Sequence, residues 1–151
     1  MSKHTTDEHK YDALKLENQI CFPLYAASRE VIKKYRPHLE ELGLTYTQYV
    51  VLMVLWEERK TTVKELGERL HLDSGTLTPL LKNLEAAGYL TRARSEDDER
   101  VLNVELTASG MALRDKALDI PGKMAQCTSL TREEAMQLYT LLHKLLDEPL
   151  A

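Results

Sequence analysis

Two short helices in close succession, each with its own capping residue, are the feature that most constrains the fold of this chain. Thr62 can cap a helix that runs through Leu70. Asp73 can cap a second helix that runs to Ala87, and Gly88 then occupies the position beyond a helix end that favours glycine. Because so few residues separate Leu70 from Asp73, a tight turn is predicted between the two helices.

A β-hairpin is predicted directly after the second of these helices. Residues Tyr89–Arg94 alternate in character, and residues Val101–Leu106 contain β-branched side chains. The polar segment Ser95–Arg100 lies between them and forms a charged loop. A helix, a tight turn, a second helix and a hairpin together describe a winged helix-turn-helix, whose second helix fits the major groove of DNA.

A long helix and a buried helix are predicted before this region. Apolar residues recur at helical spacing in Leu14–Tyr35, and we expect Pro23 and Pro37 to interrupt and bend the segment into a kinked pair of helices. The pattern Thr45–Gln48 is that of a capping box and precedes the apolar stretch Val50–Trp56. A fully buried helix is therefore expected to begin there.

Two more helices are predicted after the hairpin. Thr107 opens a helix that runs to about Asp119, where Pro121–Gly122 is expected to break it. Thr131–Glu134 forms another capping box, for a final helix that ends near Asp147. The predicted fold class is thus mainly α with a small β-hairpin wing, in a single domain of 151 residues.

The composition excludes several classes of protein. The longest apolar run, Tyr49–Trp56, has eight residues where a membrane helix needs roughly 20, and the first residues contain no apolar signal core. A cytoplasmic protein with no membrane partner is therefore expected. The histidines are scattered, Cys21 and Cys127 form no cluster, and the G-x-S-x-G, P-loop and H-E-x-x-H signatures are absent. We therefore predict no metal, no cofactor and no catalytic residue.

The second helix of the turn is suited to a DNA groove, although the net charge of −4 gives no overall attraction to nucleic acid. Its leucines at i, i+3, i+4 and i+7 form one stripe to be buried. The outward residues are small or carry hydroxyls, which allows close approach to bases and phosphates. They are Ser74, Gly75, Thr76, Thr78, Pro79, Lys82 and Ala86. An ordinary capped surface helix would have the same composition.

Three arginines surround the loop of the predicted hairpin. Arg92 and Arg94 precede the loop and Arg100 follows it, so their guanidinium groups have a path into a minor groove. The acidic segment Glu96–Glu99 must turn away from DNA or hold the arginines by ion pairing. Asp98 is placed to orient either Arg100 or Arg94.

Several segments together carry a resemblance to a known family. Residues Asp73–Lys82 and Ser95–Arg100 resemble those of the MarR family of regulators. Residues Glu17–Glu30 and Asp119–Gly122 extend the likeness over nearly the whole chain. The closest resemblance is to the branch of organic-hydroperoxide-sensing OhrR repressors.

That resemblance implies a dimeric repressor of transcription. Residues 1–44 and 107–151 are expected to form interleaved dimerisation helices, and residues 45–106 to form the DNA-binding part. Ser74–Ala87 becomes the recognition helix, and Arg100 is expected to enter the minor groove. The implied partners are a second copy of the chain, a pseudo-palindromic operator in double-stranded DNA, and an organic hydroperoxide as the signal.

The OhrR branch also implies a role for Cys21. From the residues alone, Cys21 lies at the edge of the apolar stripe of the first helix, with Tyr25 and Ser28 on the same flank. A cysteine there is more commonly a small buried hydrophobic residue. By resemblance, however, it is the residue oxidised by peroxide, held by tyrosine hydroxyls that match Tyr35 and Tyr46. A pocket that favours bulky organic peroxides is expected around it, lined by Phe22, Leu24, Tyr25, Val51 and Trp56.

Cys127 has a counterpart in the two-cysteine members of that branch. In those members a second cysteine of this region forms a disulfide with the oxidised cysteine of the partner subunit, so we expect Cys127 to resolve oxidised Cys21. An incidental thiol is the alternative for Cys127.

Two other functions remain open at this point. Many MarR relatives respond to a small aromatic acid, and Arg29, His38 and Tyr46 could bind one. A thiol peroxidase is the second alternative, but such sites usually place a threonine three residues before the reactive cysteine, and Asn18 occupies that position here. Substitution of Cys21 separates ligand gating from thiol sensing.

Overall fold

The computed structural model describes residues 9–147 and divides the chain at Leu118 and Asp119 into two compact units. The outer ends of the predicted dimerisation segments, 1–8 and 148–151, lie outside the described residues. The first unit holds most of the elements. These are the 3₁₀ helices Asp12–Leu14 and Leu16–Asn18, then α1 (Cys21–Glu40), α2 (Tyr46–Glu58), β1 (Lys60–Thr62), α3 (Val63–Leu70), α4 (Ser74–Ala86), β2 (Leu90–Arg94), β3 (Leu102–Leu106) and α5 (Ala108–Ala117). The second unit contains α6 (Ile120–Gln126) and α7 (Arg132–Asp147).

The predicted fold class is confirmed. Helices α3 and α4 form the helix-turn-helix, and the three strands form an antiparallel sheet in the order β1-β3-β2. Leu90 pairs with Leu106 and Arg94 with Leu102, so β2 and β3 make the expected hairpin. Strand β1 was missed by the sequence analysis, which predicted strands only in the hairpin. Lys60 pairs with Glu105, which is distant in sequence, and a strand of three residues has no local pattern that predicts such a contact.

Capping residues place the helix starts where the sequence predicted them. The Thr45 hydroxyl accepts from the backbone N–H of Gln48, whose side chain accepts in return, as a capping box requires. Thr62 makes the same reciprocal pair with Glu65 at the start of α3. In the second unit, Thr131 does so with Glu134 before α7.

Prolines interrupt the helices less than predicted. The expected kinked pair is a single continuous helix, α1, because Pro23 lies in its first turn, where the missing N–H has no helical acceptor, and Pro37 lies in its last turn. The segment before Cys21 is 3₁₀ helix and not part of α1. The helix that follows Thr107 ends at Ala117, close to the predicted break near Asp119, and Pro121 lies in the first turn of a further helix, α6, where it is well suited.

The core of the first unit lies where α2, the helix-turn-helix and the sheet meet. Leu52, Leu66, Leu81 and Val104 are fully buried there. By contrast, the apolar residues of the segment around α1 are mostly exposed in the single chain, among them Ile20 at 83%. No helix within residues 9–147 is long and apolar enough to span a membrane.

A glycine near the start of α5 permits a close contact that a larger residue would prevent. A Cβ at Gly110 would overlap the carbonyl oxygen of Tyr89 and lie 2.6 Å from the Leu106 side chain. The indole N–H of Trp56 also donates to the carbonyl of Gly110 at 2.9 Å, so backbone and side-chain contacts converge on this residue. The position therefore tolerates only glycine without a shift of the chain.

We expect Gly110→Ala to lower the free energy of unfolding by about 1–3 kcal/mol, because the added methyl group forces the backbone around Tyr89 to move. Thermal and urea denaturation measure the effect. Gly122→Ala is the matched control, since nothing lies within 4 Å of a Cβ there and alanine favours a helix. Equal stability of the two variants would contradict this account.

Candidate nucleic-acid interface and thiol positions

The outward face of α4 is presented as the sequence predicted. Leu77, Leu80, Leu81 and Leu84 are buried. The predicted contact residues on the opposite face are all exposed: Ser74, Gly75, Thr76, Thr78, Pro79 and Lys82. Asp73 caps the helix by accepting from the Thr76 N–H at 2.7 Å, and this backbone hydrogen bond lowers the pKa of the Asp73 carboxyl. The Thr78 hydroxyl donates to the Ser74 carbonyl at 2.7 Å and retains its acceptor capacity.

Arg100 projects from the hairpin loop, and both its guanidinium group and its backbone N–H are hydrogen-bonded to Asp98. Its Nε and Nη2 donate to the two carboxylate oxygens of Asp98 at 3.1 and 3.2 Å, and its backbone N–H donates to Oδ1 at 3.0 Å. The Arg100 side chain nevertheless remains 91% exposed. The sequence left two possible partners for Asp98, and the structure pairs Asp98 with Arg100. The other arginine, Arg94, donates to the Glu99 carbonyl at 3.3 Å.

Arg92 is directed differently from the other two arginines. Its side chain is only 18% exposed, and its Nη2 donates to Glu85 Oε1 at 3.1 Å. Sequence reasoning did not single out Glu85. The sequence does show a charged residue directly after Leu84 and seven residues before Arg92. Such spacing alone, however, does not predict a contact between a helix and a strand.

One concave surface joins the helix-turn-helix to the hairpin. It lies between α3, the first turn of α4 and the loop of the hairpin. Among the residues that line it are Thr62, Lys64, Ser74, Thr78, Arg94 and Arg100. The fold therefore brings the predicted helix contacts Ser74 and Thr78 together with the arginines Arg94 and Arg100, and adds Lys64, which the sequence analysis did not name.

The two cysteines are both exposed and lie in different units. Cys21 is the first residue of α1, at the positive end of the helix dipole. Cys127 directly follows Gln126, the last residue of α6. Among residues 9–147 no three histidine, cysteine, aspartate or glutamate side chains are grouped so as to hold a metal ion.

The predicted tyrosines pack together, but far from Cys21 along the helix. The rings of Tyr35 and Tyr46 lie 4.9 Å apart between centroids, and burial raises the pKa of Tyr35. Tyr49, which the sequence analysis did not single out, lies 6.0 Å from Tyr35 and 6.2 Å from Trp56. Tyr35 follows Cys21 by fourteen residues in one continuous helix, which corresponds to about 21 Å.

The residues predicted to line an apolar pocket are divided in the single chain. Phe22, Leu24 and Tyr25 are exposed on α1. Val51 is fully buried in α2, and Trp56 is half-buried. For the alternative set of ligand contacts, the Arg29 guanidinium lies over the Tyr25 ring at 5.4 Å.

A helix-turn-helix joined to an antiparallel sheet, with arginines on the hairpin, defines a winged-helix protein. The family model described as transcriptional regulator SarA/Rot matches residues 30–117. The organic hydroperoxide resistance transcriptional regulator of Bacillus subtilis (strain 168) is 51% identical over 140 residues, which is 93% of this chain and 95% of that protein. The chain belongs to the SarA/Rot group of MarR-type winged-helix transcriptional regulators, and the resemblance inferred from its motifs is confirmed.

Solved structures of a relative extend this comparison. Reduced AbfR bound to DNA matches with a TM-score of 0.75 and 36% identity, over 91% of this chain and 96% of that one. Disulfide-formed AbfR matches with a TM-score of 0.63 and 34% identity, over 93% and 99%. AbfR is a protein of Staphylococcus epidermidis.

The ion pair in the wing predicts a specific dependence on pH. Hydrogen bonds from Arg100 lower the pKa of Asp98, so the pair is complete above this pKa and is lost as the pH falls through it. We expect Arg100→Gln to raise the pKa of Asp98 toward its ordinary value, as followed by the ¹³C carboxyl shift. Lys82→Gln, which removes a cation from α4, should leave that pKa unchanged, and equal shifts in both variants would refute the pairing.

Proposed function

We propose that this protein is a homodimeric repressor that binds a pseudo-palindromic DNA operator when reduced and releases it when an organic hydroperoxide oxidises Cys21. The observation that carries the proposal is the shared surface of Ser74, Thr78, Arg94 and Arg100, in a chain that also exposes a thiol at the start of α1. The likeness to a regulator of organic hydroperoxide resistance supports the choice of signal.

The geometry of the surface suits a duplex. The first turn of α4 presents backbone N–H groups and hydroxyls at its positive end, which favours phosphate oxygens beside a major groove. Arg100 extends from the wing with 91% of its side chain exposed, and this exposure makes it the residue that we assign to the adjacent minor groove. Lys64 on α3 lines the same surface and is available to the phosphates between the two grooves.

The exposed apolar residues favour a dimer. Helix α7 has sixteen residues and none of them is buried in the single chain, although it carries six large apolar residues that are exposed. These are Met136, Leu138, Tyr139, Leu141, Leu145 and Leu146. Leu14, Leu16 and Ile20 are exposed near the other end of the chain. Such patches mark interfaces, and both belong to the segments 1–44 and 107–151 that we assign to dimerisation.

Oxidation would proceed in two balanced steps. The Cys21 thiolate attacks the terminal peroxide oxygen, the O–O bond breaks, and one proton completes the alcohol product, which leaves Cys21 as a sulfenic acid. The Cys127 thiol of the partner subunit then attacks that sulfur, so a disulfide forms and water leaves. A disulfide form of the relative AbfR supports the second step by analogy.

The tyrosines enter this mechanism from the second subunit. The helical distance of about 21 Å separates Tyr35 from Cys21 within one chain, so a Tyr35 hydroxyl that donates to the Cys21 sulfur belongs to the partner. The partner's aromatic cluster would likewise complete the apolar pocket that Phe22, Leu24 and Tyr25 leave open in the single chain. Disruption of these contacts on oxidation would move α1 and shift the DNA-binding elements.

The proposal is tested by fluorescence anisotropy of the reduced protein on DNA from upstream of its own gene. Cumene hydroperoxide should weaken binding by about 10- to 100-fold, and dithiothreitol should restore it. Cys21→Ser should bind DNA as the parent does and fail to respond. Cys127→Ser is the matched thiol control, which should still be oxidised at Cys21 but form no crosslink between subunits.

Three outcomes would contradict the proposal. Binding that persists through oxidation would exclude thiol sensing, and a normal response of Cys21→Ser would favour gating by a small aromatic ligand. An unchanged crosslink in Cys127→Ser would remove its role as the resolving thiol. Steady turnover of hydroperoxide with a thioredoxin-type reductant would instead indicate a thiol peroxidase.

A further inference from the structure

A single carboxylate ties the recognition helix to the wing. Glu85, in the last turns of α4, accepts the backbone N–H of Arg92 at 2.8 Å through Oε2. Its Oε1 accepts from Nη2 and Nε of the same arginine at 3.1 and 3.4 Å. Both the main chain and the side chain of Arg92 are therefore held by one residue of another element.

The hydrogen bond between Glu85 and the Arg92 backbone satisfies an N–H group at the edge of the sheet. Within residues 9–147, strand β2 has only β3 as a neighbour, so the N–H groups on its other side have no partner strand. Glu85 supplies an acceptor for one of them, at the residue that pairs with Val104 in the middle of the hairpin. The position of the strand relative to α4 is thus set at its centre and not only at the connection through Gly88.

The charge of Glu85 is otherwise unfavourable for a DNA-binding helix. A carboxylate on this helix repels phosphates unless a cation compensates it, and Arg92 does so with a side chain that is 18% exposed. Donation from Arg92 also lowers the pKa of Glu85. Arg92 consequently differs from Arg100, whose side chain is 91% exposed.

We infer that Glu85 and Arg92 are positioning residues, which orient the wing against α4 so that Ser74, Thr78, Arg94 and Arg100 meet DNA as one surface. This inference rests on the proposed function and replaces the direct DNA contact that the sequence suggested for Arg92. Neither residue needs to touch DNA. Loss of either one frees the hairpin to tilt, and Arg100 then no longer reaches the minor groove in register with α4.

Charge repulsion and positioning predict opposite effects of Glu85→Ala on operator affinity. Glu85→Ala removes a negative charge from the DNA-binding helix and introduces a strong helix former, so electrostatics alone predicts equal or tighter operator binding. Positioning predicts weaker binding, by about tenfold in anisotropy titrations. Glu99→Ala, which removes an acidic residue from the hairpin loop, is the matched control and should bind equally or more tightly.

Arg92→Lys provides a second, independent variant. It keeps the positive charge for a phosphate contact but loses the pair of guanidinium hydrogen bonds to Glu85. Positioning therefore predicts a loss of operator affinity similar to that of Glu85→Ala. The double variant should bind no more weakly than either single one. The salt dependence of binding should keep its slope in Arg92→Gln if Arg92 contacts no phosphate, and should fall by about one if it does.

Footprints separate positioning from general damage to the fold. In Glu85→Ala, hydroxyl-radical protection of the minor groove beneath the wing should be lost, while protection of guanine N7 in the major groove by α4 is retained. Loss of both footprints together, or parent-like affinity of Glu85→Ala, would overturn the inference.

A measurement without DNA keeps the inference distinct from the proposed function. Native-state hydrogen exchange at the Arg92 amide should be at least about tenfold faster in Glu85→Ala and unchanged in Glu99→Ala. If the parent protein binds no operator, the proposed function fails, and unchanged exchange at Arg92 would overturn the tether by itself.

Discussion

Burial of the leucine stripe on α4 is the constraint on which the rest of the structure depends. Leu77, Leu81 and Leu84 are almost wholly inaccessible, so α4 has one rotational setting against the core. A helix locked in this way can present only its opposite face, with Ser74 and Thr78 at the exposed end. The chemistry of the surface is therefore decided by packing beneath it, and a rotation of α4 would bury hydroxyls and expose leucine.

Local charge placement explains how a chain with a net charge of −4 can serve as a DNA-binding protein. Two acidic residues of the helix-turn-helix and the wing are paired with arginines, Asp98 with Arg100 and Glu85 with Arg92. The pair with Asp98 orders Arg100, because an arginine held by a carboxylate loses less conformational freedom when it meets a phosphate. Acidic residues in the wing are thus compatible with DNA binding, because one of them, Asp98, orients Arg100.

Predictions from sequence succeeded where a local rule decides the outcome. The capping boxes at Thr45 and Thr131, the leucine periodicity of α4 and the hairpin after Gly88 all follow from contacts within a few residues. The sequence left Arg100 and Arg94 as alternative partners of Asp98, and the structure selects Arg100, which follows Asp98 by two residues. The family resemblance added the expectation of a dimer and of redox chemistry, which no periodicity indicates.

The elements that were missed depend on distant contacts. Strand β1 exists because β3 pairs with it, and the tether at Glu85 exists because α4 and β2 are brought together by the core. The apolar side chains beside α1, such as Ile20, resemble core residues in sequence yet are exposed in one chain. In the proposed dimer a second chain would cover them, and a pattern along one sequence does not contain that context.

In the proposed function, oxidation of a thiol at the start of α1 controls a DNA surface built by α4 and the wing. Rapid-quench analysis of the protein on a labelled operator tests it most directly, by following DNA release and the formation of the disulfide between subunits after one organic hydroperoxide per thiol is added. The account predicts that release keeps pace with the disulfide that joins Cys21 to Cys127 of the partner subunit. Release while Cys21 is still reduced, or a completed disulfide on protein that remains bound, would contradict it.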